Sequence, residues 1–298
     1  MQRISEIIEQ AKRGSGGVIA VAAAQDSDVL AACVAAKKAG IARPIFVGEA
    51  EKIVEILTEM GHNPNDYEVV SATDDAESAA KAVALVREGK AGFLMKGLMS
   101  TGSLMRAVVD KDAGLRTGNL LSHCMLYEVP GYARILNVTD GGMNTFPDLE
   151  KKAGILENAA RAMQSLGYTA LTAACICGAE AVDPKIQATV DAEALAAMTE
   201  RWSCFNMSVF GPVGLDLAIS ARACAHKGYT AKGAGEADIL LVPTYEVGNA
   251  LGKSLTYFAD AKSAGIIVGA KVPIVLVSRS DTAETKLASI AFGAAVSA

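Results

Sequence analysis

Hydrophobic residues along the chain fall into short, nearly continuous runs separated by stretches with helical spacing. The runs 18–24, 171–177 and 272–277 are bounded by Gly, Pro or charged residues, as buried strands are. All of them are far shorter than the roughly 18 apolar residues that a membrane span needs. Continuous rather than alternating hydrophobicity indicates strands covered on both faces, which is typical of a parallel sheet.

The stretches between these runs predict helices. Several end directly before a glycine, where a left-handed helix cap is favoured: 27–39 before Gly40, 51–60 before Gly61, 74–88 before Gly89 and 149–166 before Gly167. Further helices are predicted over 215–226 and 249–264, and the last strand over 273–277. The repeated order of strand and then helix favours parallel strands joined by right-handed crossovers. The sequence therefore predicts an α/β protein with mostly parallel sheets.

The length of the chain allows one large domain or two smaller ones. Its least regular stretch, 111–131, is rich in Gly and indicates a crossing between two halves. A second crossing near 265–271 would return the last strand and helix to the first half. We therefore expect a discontinuous domain of residues 1–130 plus 266–298 and a second domain of residues 131–265. A cleft between two such domains would be the place for chemistry.

The composition narrows the class of protein. Of 298 residues, 51% are hydrophobic, which argues against a disordered chain. The net charge of −5 argues against a nucleic-acid-binding protein, which normally has a basic face. The six cysteines and three histidines lack metal-binding spacing, so no zinc site is predicted. Scattered cysteines with apolar neighbours indicate reduced, buried thiols and a cytoplasmic location.

Polar residues directly after the strands are the candidates for chemistry, because ligands of parallel sheets bind beyond the carboxyl ends of the strands. Lys96, Asp140 and the pair Ser278–Arg279 occupy such positions. Arg279 would offer a planar donor fork to a phosphate or carboxylate beside a helix N-terminus. The alternatives are a solvated Lys96, an Asp140 that caps an ordinary turn, and an Arg279 in a surface ion pair.

Other polar residues lie on or beside the predicted helices. Asn249 and Lys253 share one face of a helix, four residues apart. Thr101 opens a helix that Arg106 occupies, and Arg116 lies in a Gly-rich stretch; a solvated helix turn or an exposed ion pair explains these residues equally well. His123 and His226 are interpreted as structural or exposed. Dinucleotide, Walker and nucleophile-elbow motifs are absent, so the residues indicate an anion-binding α/β enzyme without a metal or redox cofactor.

Six ordered motifs make the sequence recognisable over nearly its whole length. They are LMKGLMSTGSLMRAV (94–108), GLRTGNLLSH (114–123), VTDGGMNTFPDLEKK (138–152), VDPKIQATVDAEAL (182–195), FGPVGLDLAIS (210–220) and the run 235–291 that begins GEADILLVPTYEVGNALGKS. With these motifs the chain resembles the phosphate acetyl/butyryltransferase family. The resemblance implies a two-domain α/β/α sandwich with the layout of isocitrate and isopropylmalate dehydrogenases. It also implies a site between the domains and a homodimer or larger homo-oligomer.

The resemblance further implies a reaction. The family transfers a short-chain acyl group reversibly between CoA and inorganic phosphate, and we expect butyryl here, as in butanoate metabolism. Acyl-CoA, CoA, phosphate and acyl phosphate would be the partners, without cofactor, metal, nucleic acid or membrane. We favour direct attack in a ternary complex over an acyl-enzyme. Alternatives are acetyl or another chain length, a non-catalytic acyl-CoA-binding relative and, more weakly, a dehydrogenase of the related fold.

The resemblance assigns roles to single residues. A Ser-Arg pair contacts acyl phosphate and CoA in the acetyl branch and matches Ser278 and Arg279, so Arg279 would hold the phosphoryl group and Ser278 would polarise the acyl oxygen. Lys96 replaces the serine of a Ser-Gly motif and is expected to bind phosphate; Arg106 lies near a family arginine with a one-residue gap. The carboxylate proposed as the base in that branch falls at Thr285 here, so the base stays open.

Overall fold

The computed structural model describes residues 1–14, 16–278 and 281–297. Its strands are β1 (Gly17–Ala22), β2 (Ala42–Gly48), β3 (Glu68–Ser71), β4 (Phe93–Lys96), β5 (Ser122–Glu128), β6 (Ile135–Thr139), β7 (Leu171–Ile176), β8 (Met207–Val213), β9 (Ile239–Leu241), β10 (Lys262–Val268) and β11 (Ile274–Val275). Its helices are α1 (Ile4–Arg13), α2 (Ser27–Lys38), α3 (Ala50–Glu59), α4 (Asp75–Arg87), α5 (Thr101–Val108), α6 (Leu149–Ser165), α7 (Gln187–Ala197), α8 (Thr199–Ser203), α9 (Leu215–Ile219), α10 (Ala221–Lys227), α11 (Tyr245–Phe258) and α12 (Ala283–Ser297).

The chain forms two compact units. The central unit contains Met1–Ile4 and Leu120–Ser263, and the terminal unit contains Ser5–Asn119 and Ala264–Ala298. Strands β5 and β6 pair with each other and both lie inside the central unit. The domain ranges 1–130 plus 266–298 and 131–265 stay a prediction. None of the helices in the described ranges is long and apolar enough to cross a membrane.

The terminal unit is built on a mostly parallel sheet. Its strands follow the order β3-β2-β1-β4-β11-β10, and the pairs from β3 to β11 are parallel. Only the β10–β11 pair among these is antiparallel. The apolar runs predicted as strands are buried, as Ile19 and Phe93 illustrate in a paired register. The parallel arrangement brings the carboxyl ends of β1, β4 and β11 to one edge of this sheet.

The central unit is also built on mostly parallel strands, with one antiparallel pair at the end of the strand order. Its strands have the order β5-β6-β9-β7-β8, in which β5 and β6 are antiparallel and the remaining pairs are parallel. A buried core surrounds these strands and includes Leu136, Phe210 and Leu240. Trp202 is also fully buried, and its indole Nε1 donates a hydrogen bond to the carbonyl of Leu195 at 2.7 Å.

The structure confirms the predicted α/β class with mostly parallel sheets and corrects several elements. The helix predicted over 249–264 ends at Phe258, and Lys262–Val268 form β10 instead. The helix predicted over 215–226 is divided at Ser220, whose extended backbone ends α9 and whose hydroxyl caps α10. Strand β5 lies in the stretch interpreted as irregular. Its residues alternate between buried and partly exposed positions, so its apolar signal is weak.

Candidate active site

A pocket opens at the carboxyl edge of the sheet in the terminal unit. Its walls come from the start of α2, the turn after β4, the turn after β11 and the first turn of α12. The residues that line it are Asp26, Asp28, Val29, Lys96, Gly97, Leu98, Val277, Ser278 and Lys286. Two of the predicted site residues, Lys96 and Ser278, are therefore brought together.

Lys96 is the last residue of β4 and only 6% exposed. Its Nζ donates hydrogen bonds to the carbonyls of Gly97 and Met99, each at 3.1 Å. The turn itself is held against the end of β1, because the Gly97 and Leu98 amides donate to Ala22 and Ala23 carbonyls at 2.8 and 2.7 Å. The ammonium group is thus fixed at the pocket wall by the backbone that leads into α5.

Lys286 supplies a second ammonium group to this pocket and was not among the predicted site residues. The residue lies in the first turn of α12 and is 2% exposed. Its Nζ donates to the carbonyl of Asp281 at 2.8 Å and lies 3.4 Å from Asp28 Oδ2. In the sequence, Lys286 shares helical spacing with Ser289, Ile290 and Gly293, a pattern that does not by itself show which way the lysine points.

Ser278 follows the last strand and is exposed, with a backbone amide that donates to Asp281 Oδ2 at 2.7 Å. The Asp281 amide in turn donates to the Ser278 carbonyl at 3.2 Å. Arg279 lies outside the described residues. These two hydrogen bonds tie Ser278, which lines the pocket, to Asp281.

Thr285, where the acetyl branch would have its carboxylate, takes part in the helix cap. Its amide donates to Thr282 Oγ1 and its hydroxyl accepts from the same oxygen, both at 3.2 Å. A hydroxyl lacks the basicity of a carboxylate.

The carboxylates that line this pocket instead come from the start of α2, where Asp26 caps the helix by accepting from the Val29 amide at 2.9 Å. The first strand's end was not singled out in the sequence analysis, although the strand-end rule applies to it.

Asp140 lies in the central unit and is 2% exposed. Its Oδ1 accepts from the amides of Gly142 and Met143 at 2.8 Å, and its Oδ2 accepts from Asn144 Nδ2 at 2.6 Å. These contacts are those of a residue that organises its own turn. Asn249 at the start of α11 is near the same turn, with Nδ2 at 3.5 Å from the Gly141 carbonyl. The substrate-binding roles of Asp140 and Asn249 stay predictions.

The remaining candidates lie on helices or loops. Thr101 begins α5 behind the cap residue Ser100, and Arg106 is exposed in the last turn of the same helix. Arg116 is exposed in the loop after α5, and Lys253 is exposed on α11. In the part of the chain that the structure describes, these four predicted residues do not line the pocket of Lys96 and Ser278.

The buried thiols are poor nucleophiles. Burial raises the pKa of Cys33 and of Cys124 to about 12, and it also raises the pKa of Cys175 and of Cys177. The thiolate is the reactive form, so these cysteines are protonated near neutral pH. This favours direct attack between substrates over a thioester on Cys175 or Cys177. The described residues contain no cluster of three or more His, Cys, Asp or Glu side chains placed to hold a metal ion.

Comparison with known proteins decides the family. Residues 54–294 match the family model described as phosphate acetyl/butaryl transferase. The chain belongs to this family. It is 42% identical to the phosphate butyryltransferase of Clostridium acetobutylicum over 99% of this chain and 98% of the relative. It is also 38% identical to the phosphate acetyltransferase of Rhizobium meliloti, over 98% of this chain and 92% of that one.

A solved relative supports the same conclusion for this phosphate acyltransferase. The crystal structure of a branched-chain phosphotransacylase from Enterococcus faecalis superposes with a TM-score of 0.83 at 35% sequence identity. The match covers 94% of this chain and 98% of that one. The predicted family, fold class and acyltransferase activity are thereby confirmed.

Proposed function

We propose that this enzyme transfers a short-chain acyl group, preferably butyryl, between CoA and inorganic phosphate. The observation that carries the proposal is the pocket in which two nearly buried ammonium groups, Lys96 and Lys286, stand beside Ser278. Ammonium groups bind phosphate as compact charges. The N-terminus of α12 adds the positive end of a helix dipole at the same pocket, which favours an anion there.

The reaction requires no group beyond the two substrates and the side chains. A phosphate oxygen attacks the thioester carbonyl of acyl-CoA, and the C–S bond of the resulting tetrahedral intermediate breaks. The products are acyl phosphate and the CoA thiolate, which takes up a proton. Ser278 would donate a hydrogen bond to the acyl oxygen as negative charge develops on it. Arg279, placed by sequence alone, would hold the phosphate, with Lys96 as its second cation.

The acyl preference rests on similarity to a curated butyryltransferase and on the chemistry of burial. Butyryl carries two methylenes more than acetyl, and each buried methylene contributes about 0.8 kcal/mol. A pocket that fits butyryl should therefore favour it over acetyl by about 10-fold in kcat/KM. Because one relative is a phosphate acetyltransferase, acetyl is the second candidate for the transferred acyl group. The homo-oligomer and the cytoplasmic location stay predictions.

Release of free thiol tests the proposal. Purified protein is supplied with phosphate and with acetyl-, butyryl-, isobutyryl- or hexanoyl-CoA, and the CoA thiol is measured with a chromogenic thiol reagent. We expect phosphate-dependent release that is fastest with butyryl-CoA. Omission of phosphate is the matched control, because it reports simple hydrolysis. Binding of acyl-CoA without turnover would instead identify a non-catalytic relative, and faster turnover of acetyl-CoA would reassign the chain length.

A further inference from the structure

Lys286 is linked to Ser278 through Asp281. The lysine Nζ donates to the Asp281 carbonyl at 2.8 Å, while the Asp281 carboxylate accepts from the Ser278 amide at 2.7 Å. Two hydrogen bonds therefore hold Asp281. Its main-chain carbonyl accepts from the Lys286 ammonium group, and its carboxylate accepts from the Ser278 amide. The link joins Ser278, after the last strand, to the first turn of α12.

The burial of Lys286 is not explained by its ion pair. Its side chain is 3% exposed, whereas the partner Asp28 is 70% exposed and well solvated. An ion pair with one solvent-exposed member contributes about 0–1 kcal/mol, which does not offset the burial of an ammonium group. A methionine would fill the same space without desolvating a charge. The lysine must therefore do something that an apolar residue of similar length could not do.

We propose that Lys286 is a positioning residue of the acyl-transfer site, which fixes Asp281 and through it the Ser278 backbone, so that Ser278 faces the substrate. This inference rests on the proposed function. The ammonium sets the direction of the Asp281 peptide, and that peptide sets the carboxylate that accepts from Ser278. Because misplacement by about 1 Å can cost on the order of 100-fold in rate, loss of this link should act mainly on kcat.

The test compares Lys286→Met with Lys286→Arg and Asp281→Ala. We expect Lys286→Met to lower kcat by about 10- to 100-fold with less than about a threefold change in the KM for acyl-CoA. Lys286→Arg, which keeps a donor, should restore part of that loss. Asp281→Ala removes the acceptor of the Ser278 amide without touching the buried lysine, and it should show the same pattern in kcat.

A double-mutant cycle separates positioning from a general effect on folding. If Lys286 acts through the Ser278 backbone, Lys286→Met should cost clearly less in a Ser278→Ala background than in the wild-type enzyme. The inference would be overturned if Lys286→Met lowered kcat by the same factor in both backgrounds. Full activity of a folded Lys286→Met variant would also overturn it. Lys52→Met is the matched control, because it removes an exposed lysine paired with Glu49 at 2.7 Å in the same unit. Wild-type turnover is measured first, so failure of the proposed function is seen separately.

Discussion

The main chains of Gly141 and Gly248 touch each other. A Cβ atom placed on Gly141 would lie 2.7 Å from the carbonyl carbon of Gly248, and one placed on Gly248 would lie 2.7 Å from Gly141 Cα. Real Cβ atoms essentially never approach within 3.0 Å of another heavy atom. The turn organised by Asp140 is therefore seated directly on the first turns of α11, an approach that only glycine at both positions allows.

Replacing Gly248 by alanine should destabilise the central unit. The new methyl group meets backbone, which cannot move aside as a side chain can, so we expect a loss of about 1–3 kcal/mol in unfolding free energy. Urea denaturation measures it. Gly154→Ala is the control, since its Cβ would meet only Leu120 at 3.7 Å within helix α6. That variant should gain about 0.5–1 kcal/mol from helix propensity; equal stability of both variants would contradict the close approach.

Arg279 should be the most costly side chain to remove from the acyl-transfer site. We expect Arg279→Ala to lower kcat/KM by about 100-fold or more, the scale of one charged contact to the transition state. Thiol release from butyryl-CoA measures it. Arg43→Ala, which removes an exposed arginine 3.3 Å from Glu68, is the control and should keep full activity. Unchanged kinetics of Arg279→Ala would remove this residue from the site.

Replacement of Lys96 should raise the KM for phosphate more than the KM for acyl-CoA. The Lys96 ammonium stands at the pocket wall, so Lys96→Met should raise the KM for phosphate by about 10-fold or more, the scale of a charge-assisted contact. The KM for acyl-CoA should change much less. Initial rates at varied phosphate and varied acyl-CoA separate the two constants. Lys90→Met, which removes an exposed lysine 2.8 Å from Glu88, should leave both unchanged. A parallel rise in both constants would point to a general loss of structure.

The cysteines should react in an order set by burial. Cys204 is exposed, whereas the other five cysteines are buried. Burial raises the pKa of Cys33 and of Cys124 to about 12, so both remain protonated at pH 8 and offer little thiolate to an alkylating reagent. We expect iodoacetamide to label Cys204 first, with activity retained, and to label all six after denaturation. Inactivation that follows labelling of Cys175 or Cys177 would revive an acyl-enzyme mechanism.

The ion pair of Lys152 and Asp191 is buried in the central unit, with 2.7 Å between Nζ and Oδ2 and side chains that are 7% and 5% exposed. Lys152→Met would leave a buried carboxylate whose remaining donor is Gln187 Nε2 at 2.8 Å. We expect a loss of about 3–5 kcal/mol in unfolding free energy. The double variant Lys152→Met/Asp191→Leu should recover much of it. Lys151→Met, which breaks an exposed pair with Asp148, should cost less than about 1 kcal/mol.

The local sequence was enough for the regular βα repeats. The helices predicted to end before Gly40, Gly61, Gly89 and Gly167 do end there, and all four glycines have positive φ angles. This succeeded because helix caps depend on neighbouring residues, and because buried parallel strands have continuous apolar runs. The same runs located the strand ends and therefore Lys96 and Ser278.

Strand pairing decided two elements that the local sequence did not show. Strands β5 and β10 exist because β6 and β11 pair with them in antiparallel register, not because their own residues demand it. The first of these pairings joins β5 to β6 within the central unit, which begins its long segment at Leu120. A strand whose apolar signal is weak depends on its neighbour for hydrogen bonds and burial, and its own residues do not show that neighbour.

The same distinction between local sequence and tertiary structure applies to Lys286 in the candidate site. The sequence by itself predicted a strand that ends shortly before Ser278 and a helix after it, and so predicted an anion site there. Only the tertiary structure turned Lys286 inward against the Asp281 carbonyl, beside Asp28 from another helix. The direction in which a helical side chain points is set by the packing of the whole helix, and one lysine among small residues does not reveal it.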